Sequence, residues 1–152
     1  MEQSEVQNAA RQIIHDYNQP VVMATVTPQG EPHVFFMGGA MLEEPFILYV
    51  LTYGDSHKVL QIRDNPHVQL MFFRPDKHEV LTITGQATIE DSRQKMHKVY
   101  QFIPSSQEYF SGPDDPSLCV LKITATRLEL WMGAQQRQAH VAHLPPVEAN
   151  VE

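Results

Sequence analysis

The stretch Phe46-Ile47-Leu48-Tyr49-Val50-Leu51-Thr52-Tyr53-Gly54-Asp55-Ser56-His57-Lys58 decides how this chain is read. Its first six residues are an unbroken apolar run, short enough to be a strand. Gly54 and Asp55 break the run, and Val59, Leu60 and Ile62 then recur at helical spacing. The junction is therefore a strand that turns into a helix. A helix start exposes unpaired backbone N–H groups and the positive end of the aligned peptide dipoles, which suits it to hold a phosphate. Ser56 adds a hydroxyl there and Lys58 a full positive charge. These residue types in this order point to a phosphorylated cofactor. Asp55 and Ser56 also suit the simpler role of helix N-cap, which is compatible with the first.

Working outward, Ser56 to Asn65 reads as a short helix stopped by Asn65-Pro66, because the residue before proline avoids the helical region. Upstream, Val21 to Thr27 and His33 to Gly38 form a hairpin across Pro28-Gln29-Gly30-Glu31. A loop follows, bracketed by Gly38-Gly39 and Glu43-Glu44-Pro45. Downstream, Val68 to Phe73 and Val80 to Glu90 form a second hairpin, and Asp91 or Ser92 caps a helix that runs to about Phe102. Pro104 to Pro116 reads as a loop. Leu118 to Met132 is a long strand whose apolar residues change phase, from Leu118 and Val120 to Leu121 and Ile123 and then to Leu128 and Leu130, so a bulge or bend is expected in it. At the N-terminus, Ser4 and Gln7 suggest a capping box for a helix to Asn18, with Val6, Ala9, Ala10, Ile13, Ile14 and Tyr17 as its apolar stripe.

The chain thus reads as mainly β, with six antiparallel strands in a small barrel, a few helices and one domain over residues 1–133. Residues 134–152 show little periodicity and are expected to lie over the surface or a partner chain, or to be partly disordered. The βαβ spacing and glycine fingerprint of a dinucleotide fold are absent. The formal charge of −7 without a basic run argues against nucleic acid as a partner. No apolar run reaches the ~20 residues of a membrane span. A polar N-terminus and the single Cys119 suggest a reducing, cytoplasmic setting.

Several short segments now acquire meaning from their order: Ala24-Thr25-Val26 before Gly30-Glu31-Pro32, then Leu48-Tyr49-Val50-Leu51-Thr52, Ser56-His57-Lys58, Asn65-Pro66-His67-Val68, Gly85-Gln86-Ala87 and Leu128-Glu129-Leu130-Trp131. In this order and spacing the chain resembles the pyridoxamine 5′-phosphate oxidase-like family of FMN-binding split barrels, in its small, general-stress-protein-like branch. The resemblance covers about residues 10 to 133. It implies a six-stranded antiparallel split barrel that pairs into a homodimer, with two FMN molecules at the interface. Leu51 and Thr52 then match the strand end that meets the flavin, and Ser56 and Lys58 the phosphate-binding pair. Met37 and Leu51 would flank the ring, and Trp131 would reach the flavin from the partner subunit. Arg137 stands where the oxidases place a substrate-binding arginine.

The chain also departs from the family pattern. His33 and Gly38 stand where the oxidases carry an arginine and a lysine, His57 replaces an arginine, and Val80 replaces a flavin-contacting glutamine. His140 is one residue out of register with a substrate histidine. The phosphate site is thus less basic, and a vitamin B6 substrate is poorly supported. The resemblance implies an FMN-dependent oxidoreductase acting on an unidentified small substrate. The alternatives are a non-catalytic FMN-binding stress-response protein, or a split barrel that uses F420 or haem. The acidic balance disfavours F420 and its polyglutamate tail.

Other residues read more plainly. Cys119 suits a buried, inert thiol. His140 and His143 are spaced for a metal pair on a helix but lack further ligands. Phe35, Phe36, Phe72 and Phe73 are adjacent pairs on strands, so one of each points outward and implies a cover, read as a second subunit. Tyr109 and Phe110 either close over a pocket or pack the loop down. Glu43-Glu44 and Asp114-Asp115 look like loop charges. No order of residues demands a protein-derived nucleophile, which fits chemistry supplied by a cofactor.

Overall fold

The computed structural model describes residues 1–16, 20–135 and 137–145. The elements run α1 (Gln3–Asp16), β1 (Val21–Val26), β2 (Pro32–Met37), β3 (Met41–Glu43), β4 (Ile47–Tyr53), α2 (His57–Asp64), β5 (His67–Arg74), β6 (Glu79–Glu90), α3 (Arg93–Phe102), α4 (Ser106–Tyr109), β7 (Leu118–Met132) and β8 (His140–His143). The fold is mainly β, with an N-terminal helix, as the sequence leads one to expect. The described residues form eight strands rather than six: Met41–Glu43, expected to be loop, is a short strand, and so is part of the tail expected to show little periodicity. Pro104 to Pro116 likewise contains a single helical turn, α4. Tyr17 and the expected helix end at Asn18-Gln19 lie outside the described residues, as does 146–152.

All neighbouring strands are antiparallel, in the order β2-β1-β5-β6-β7-β4-β3, with β8 added on β7. The sheet curls round a single core. Val21 and Met23 of β1, Leu70 and Phe72 of β5, Leu81 and Ile83 of β6, Leu121 and Ile123 of β7 and Leu48 and Val50 of β4 all meet in it. Alternation puts their neighbours on the outer face.

The long strand β7 holds the barrel together. Its first half, Leu118 to Thr124, pairs with β4, and its second half, Arg127 to Leu130, pairs with β8, while β6 runs along its other side. At the changeover the register slips: Gly85 faces Ala125 and Thr84 faces Arg127, leaving Thr126 as the extra residue of a bulge. This is the change of phase visible in the apolar pattern. Gly85 permits it, because a Cβ there would lie 2.5 Å from the Thr124 carbonyl oxygen.

The helices cover what the sheet leaves open. α1 seats Val6, Ala10, Ile13 and Ile14 in the barrel core. Its cap is not the expected Ser4/Gln7 pair. The Glu2 backbone N–H donates to Glu5 Oε1 at 3.2 Å, and the Glu5 and Val6 amides return to the Glu2 carbonyl. A carboxylate at the third helical position serves this purpose better than an amide, since it also meets the helix dipole. α3 is capped by Ser92, whose hydroxyl accepts the Lys95 amide at 3.3 Å. It lays Val99 and Ile103 on the outer face of β3, β4 and β7, against Met41, Ile47, Tyr49 and Val120. Glu43, read as a loop charge, is instead held by Lys95 and Lys98 of this helix. The Lys95 hydrogen bond, more than the surrounding charge, keeps the Glu43 carboxyl below the usual range.

Candidate functional site

A cleft of about 440 Å³ opens where four elements end. Met37 ends β2 and Gly38 and Gly39 follow it, Leu51, Thr52 and Tyr53 close β4, Lys58 lies in the first turn of α2, and Ile103 to Phe110 cross from α3 through α4. The volume is in the range of small-ligand sites. Of the cofactor-binding candidates from the sequence, Met37, Leu51, Thr52 and Lys58 line this one cleft, together with Phe36, Gly38, Tyr109 and Phe110. Ser56 adjoins it, with its hydroxyl 3.4 Å from Thr52 Oγ1.

The strand-to-helix junction is built as its residues suggest. Ser56 occupies the N-cap position of α2, yet its side chain makes no capping hydrogen bond. Its hydroxyl is therefore directed to Thr52 rather than spent on the helix. The Val59 amide bonds back to the Ser56 carbonyl at 3.2 Å, so the first-turn amides without an intrahelical partner are those of His57 and Lys58. Lys58 is partly buried and places its Nζ 4.7 Å from the centre of the Phe35 ring. Burial lowers its pKa below that of an ordinary lysine, and no charged neighbour contributes to the shift. This sets Lys58 apart from Arg11, Arg74, Arg93 and Lys95, each of which is paired with a carboxylate. Desolvation disfavours the charged form of Lys58, and an anion joining it would restore that form.

Of the wall formed by residues 103–110, the sequence offered Tyr109 and Phe110, which both line the cleft, but not Ile103, Ser105 or Ser106. Ser105 donates to the Gly38 carbonyl at 3.3 Å, and a side chain on Gly38 would collide with the Ser105 hydroxyl. Ser106 is buried and turns its hydroxyl to the carbonyls that end α3, 2.6 Å from that of Tyr100. The Tyr53 hydroxyl donates to the Tyr109 carbonyl at 3.1 Å. The two aromatics of this segment divide their roles. Phe110 is buried against Tyr100 and Leu118, while Tyr109 stands 56% exposed at the cleft mouth. The adjacent tyrosine and phenylalanine in a polar loop were the only signal of this wall.

The other sequence candidates lie elsewhere. His33 is exposed and puts Nδ1 3.3 Å from Gln61 Oε1, an oxygen that also accepts from the buried Thr25 hydroxyl at 2.6 Å. It braces β2 against α2 without lining the cleft. His57 is exposed on the first turn of α2. Trp131 lines a second cleft on the outer face of the sheet, and Arg137 is exposed beyond β7 and lines neither. His140 and His143 lie on a strand, where residues three apart face opposite ways. Among the described residues, no three His, Cys, Asp or Glu side chains are placed to hold a metal ion. Burial pushes the Cys119 thiol pKa up, against a small opposing effect of Arg63. Among the described residues, no helix is long and apolar enough to cross a membrane.

FMN is the group that the resemblance implies, and the donor set fits it. A lysine that has no acidic partner among the described residues, the Ser56 hydroxyl and a helix start stand at the rim of a cleft whose apolar lining includes Phe36, Met37, Leu51, Ile103 and Phe110.

Known proteins agree with this architecture. The chain is 24% identical to general stress protein 26 of Bacillus subtilis over 139 residues, which is 90% of this chain and 95% of that protein. A solved structure from Clostridium acetobutylicum, described as related to general stress protein 26 and of the pyridoxinephosphate oxidase family, superposes with a TM-score of 0.78 at 16% identity, covering 95% of this chain and 97% of that one. A pyridoxamine 5′-phosphate oxidase-related, FMN-binding protein from Nostoc punctiforme gives a TM-score of 0.62 at 20% identity, with 91% and 96% covered. At these identities the structures speak for the fold alone. The family model described as pyridoxamine 5′-phosphate oxidase matches residues 6–132. With most of its length matched in this way, the chain belongs to the pyridoxamine 5′-phosphate oxidase family.

Proposed function

We propose that the protein is an FMN-binding flavoprotein and acts as an FMN-dependent oxidoreductase on a small substrate. The observation that carries this reading is Lys58: partly buried, without an acidic partner among the described residues, and set at a helix start on the rim of a largely apolar cleft. Lys58, Ser56 and the first amides of α2 hold the phosphate, and Thr52 orients the Ser56 hydroxyl. Met37 and Leu51 flank the ring and keep water from it. When bound, the flavin supplies the electron chemistry and the chain supplies binding and orientation. The FMN-binding relative and the relatives named as stress proteins support a flavoprotein with a role in stress.

The working unit in this reading is a cytoplasmic homodimer. The outer face of β1 and β2 exposes Val34 and Phe36, at 61% and 74%, beside Val22 and Met71. A second copy seated there would bring Trp131 to the cofactor of its partner. The scarcity of cations in the cleft, where Lys58 stands without the arginine and lysine of the oxidases, favours a second reading in which FMN is bound without turnover.

The test is the visible spectrum of the purified full chain, before and after FMN is added and free ligand is filtered off. Retained flavin bands support the assignment, and a colourless protein refutes it. Lys58→Ala is expected to weaken FMN binding about tenfold or more, the loss of one charge-assisted contact. Unchanged affinity would mean that the phosphate lies elsewhere. Reduction of the bound flavin by NADH or NADPH separates the oxidoreductase from the non-catalytic binder.

A further inference from the structure

Three cations among the described residues lie over aromatic rings. Arg11 over Phe46 and Lys95 over Tyr49 are each also paired with a carboxylate, Glu44 and Glu43. Lys58 over Phe35 is the exception: its Nζ lies 4.7 Å from the ring centre, and no acid contributes to its electrostatics. The difference matters for a lysine that lines a cleft. An ion pair commits the positive charge to its partner. A ring face attracts a cation through its quadrupole yet carries no net charge, so the cation stays available to an anion.

The ring is itself fixed. Phe35 and His33 alternate on β2 and so share the face that meets α2. Their rings meet in a T-shaped arrangement, 5.4 Å between centres. His33 Nδ1 lies 3.3 Å from Gln61 Oε1, which also accepts the Thr25 hydroxyl at 2.6 Å. An amide oxygen only accepts, so His33 donates from Nδ1. Thr25 is buried and stands opposite His33 in the β1–β2 pair. Gln61 follows Lys58 by three residues, on the same side of α2. The contacts thus run from Thr25 in the core through Gln61, His33 and Phe35 to Lys58.

We propose that Phe35 is a positioning residue for Lys58: its ring stands where a counterion would, holding the ammonium charged and turned to the cleft, while His33 and Gln61 brace the ring. The contact is independent of the flavin reading. Its use in holding the phosphate of FMN rests on that reading.

Two measurements test the two parts. In the first, the full chain without FMN is acylated with acetic anhydride at rising pH, and modification of Lys58 is followed by mass spectrometry beside that of exposed Lys77. Burial disfavours the charged form of Lys58, and the ring opposes that effect. The titratable groups facing this lysine are His33 of the stack and, across the cleft, Tyr53 of β4 and Tyr109 of α4. Phe35→Leu keeps an apolar cover without a ring face and is expected to lower the Lys58 midpoint by about half a pH unit or more, and Phe35→Tyr to restore it. Phe35→Met replaces the leucine variant should that fail to fold. A midpoint that stays, rises or is not restored by tyrosine overturns the proposal.

In the second, FMN is titrated into the native chain, Phe35→Leu, Lys58→Ala and the double variant. Phe35→Leu is expected to weaken FMN about threefold or more beside Lys58, and less than about twofold beside alanine, because the ring acts only through the lysine. Equal losses in both backgrounds would make Phe35 a packing residue and overturn the proposal. A midpoint that follows Phe35, with FMN affinity indifferent to Lys58→Ala, refutes the phosphate site and leaves the role of the ring standing. FMN affinity that needs Lys58 and ignores Phe35 refutes the ring alone.

Discussion

Strands β4 and β2 are each rich in apolar residues, and the protein treats them in opposite ways. β4 sends Leu48 and Val50 into the barrel and Ile47 and Tyr49 under α3, so nearly the whole strand is buried. β2 turns Phe35 and Met37 towards the core and leaves Val34 and Phe36 uncovered. A continuous apolar run thus marks a strand covered on both faces. In β2 the same composition marks a strand with one face covered by the chain and one offered to something else. The cleft with Lys58 lies where these two strands end, which gives it a rigid wall from β4 and an open rim from β2.

The sharpest way to break this comparison uses one residue type at two places. Phe72 is 1% exposed in the core, and Phe36 is 74% exposed. Phe72→Ala is expected to cost about 3–5 kcal/mol in urea unfolding. Phe36→Ala is expected to change subunit stability by less than about 0.5 kcal/mol, while shifting the sedimentation of a homodimer towards the monomer. Equal losses in the two variants would erase the distinction between the faces. Next in size is Gly85→Ala, which forces a methyl against the Thr124 carbonyl and is expected to cost about 1–3 kcal/mol. Ser92→Ala removes the cap of the helix that covers β4 and should cost about 1 kcal/mol, again by urea unfolding.

The smallest expected effect, and the one that sharpens the reading of the rim, concerns pH. Lys58 has a pKa lowered by burial, and a bound phosphate would favour its charged form. FMN affinity is therefore greatest where Lys58 is protonated and declines as pH rises through that lowered pKa, below the point at which an ordinary lysine titrates. Titrations of FMN at rising pH check this, and Lys58→Arg, which stays charged throughout, should abolish the decline.

How far these features were legible in the sequence depended on their length and locality. β7 could be read to its ends, because fifteen residues of apolar alternation outweigh local noise, and its phase change announced the bulge. The α3 cap at Ser92 is also a local signal. β3, with three residues between glycines and a Glu-Glu-Pro sequence, carries too short a period to register. β8 is four residues with histidines at both ends, and it is a strand because β7 offers it an edge. The same split runs through the site. Thr52, Ser56 and Lys58 are close in sequence, so one strand-to-helix turn brings them together. Ser105 and Tyr109 reach the cleft only because α3 packs across β4, a tertiary fact with no local pattern. Trp131, assigned by resemblance to a flavin, lies in a different cleft of its own chain, where only a second subunit could unite the two.

Thr126, the extra residue in the β7 bulge, has a consequence for how this gene can vary. The bulge lets Ala125 and Leu128, three residues apart, both face the core. Deleting Thr126 would leave a regular alternation, with Ala125, Leu128 and Leu130 still inside and Arg127, Glu129 and Trp131 still outside. What it would remove is the local bend and the exposed hydroxyl that donates to the Thr84 carbonyl at 3.2 Å. A single-codon deletion elsewhere in this strand would instead turn every later side chain to the wrong face. Position 126 is thus the one place in β7 where losing a codon should be tolerated.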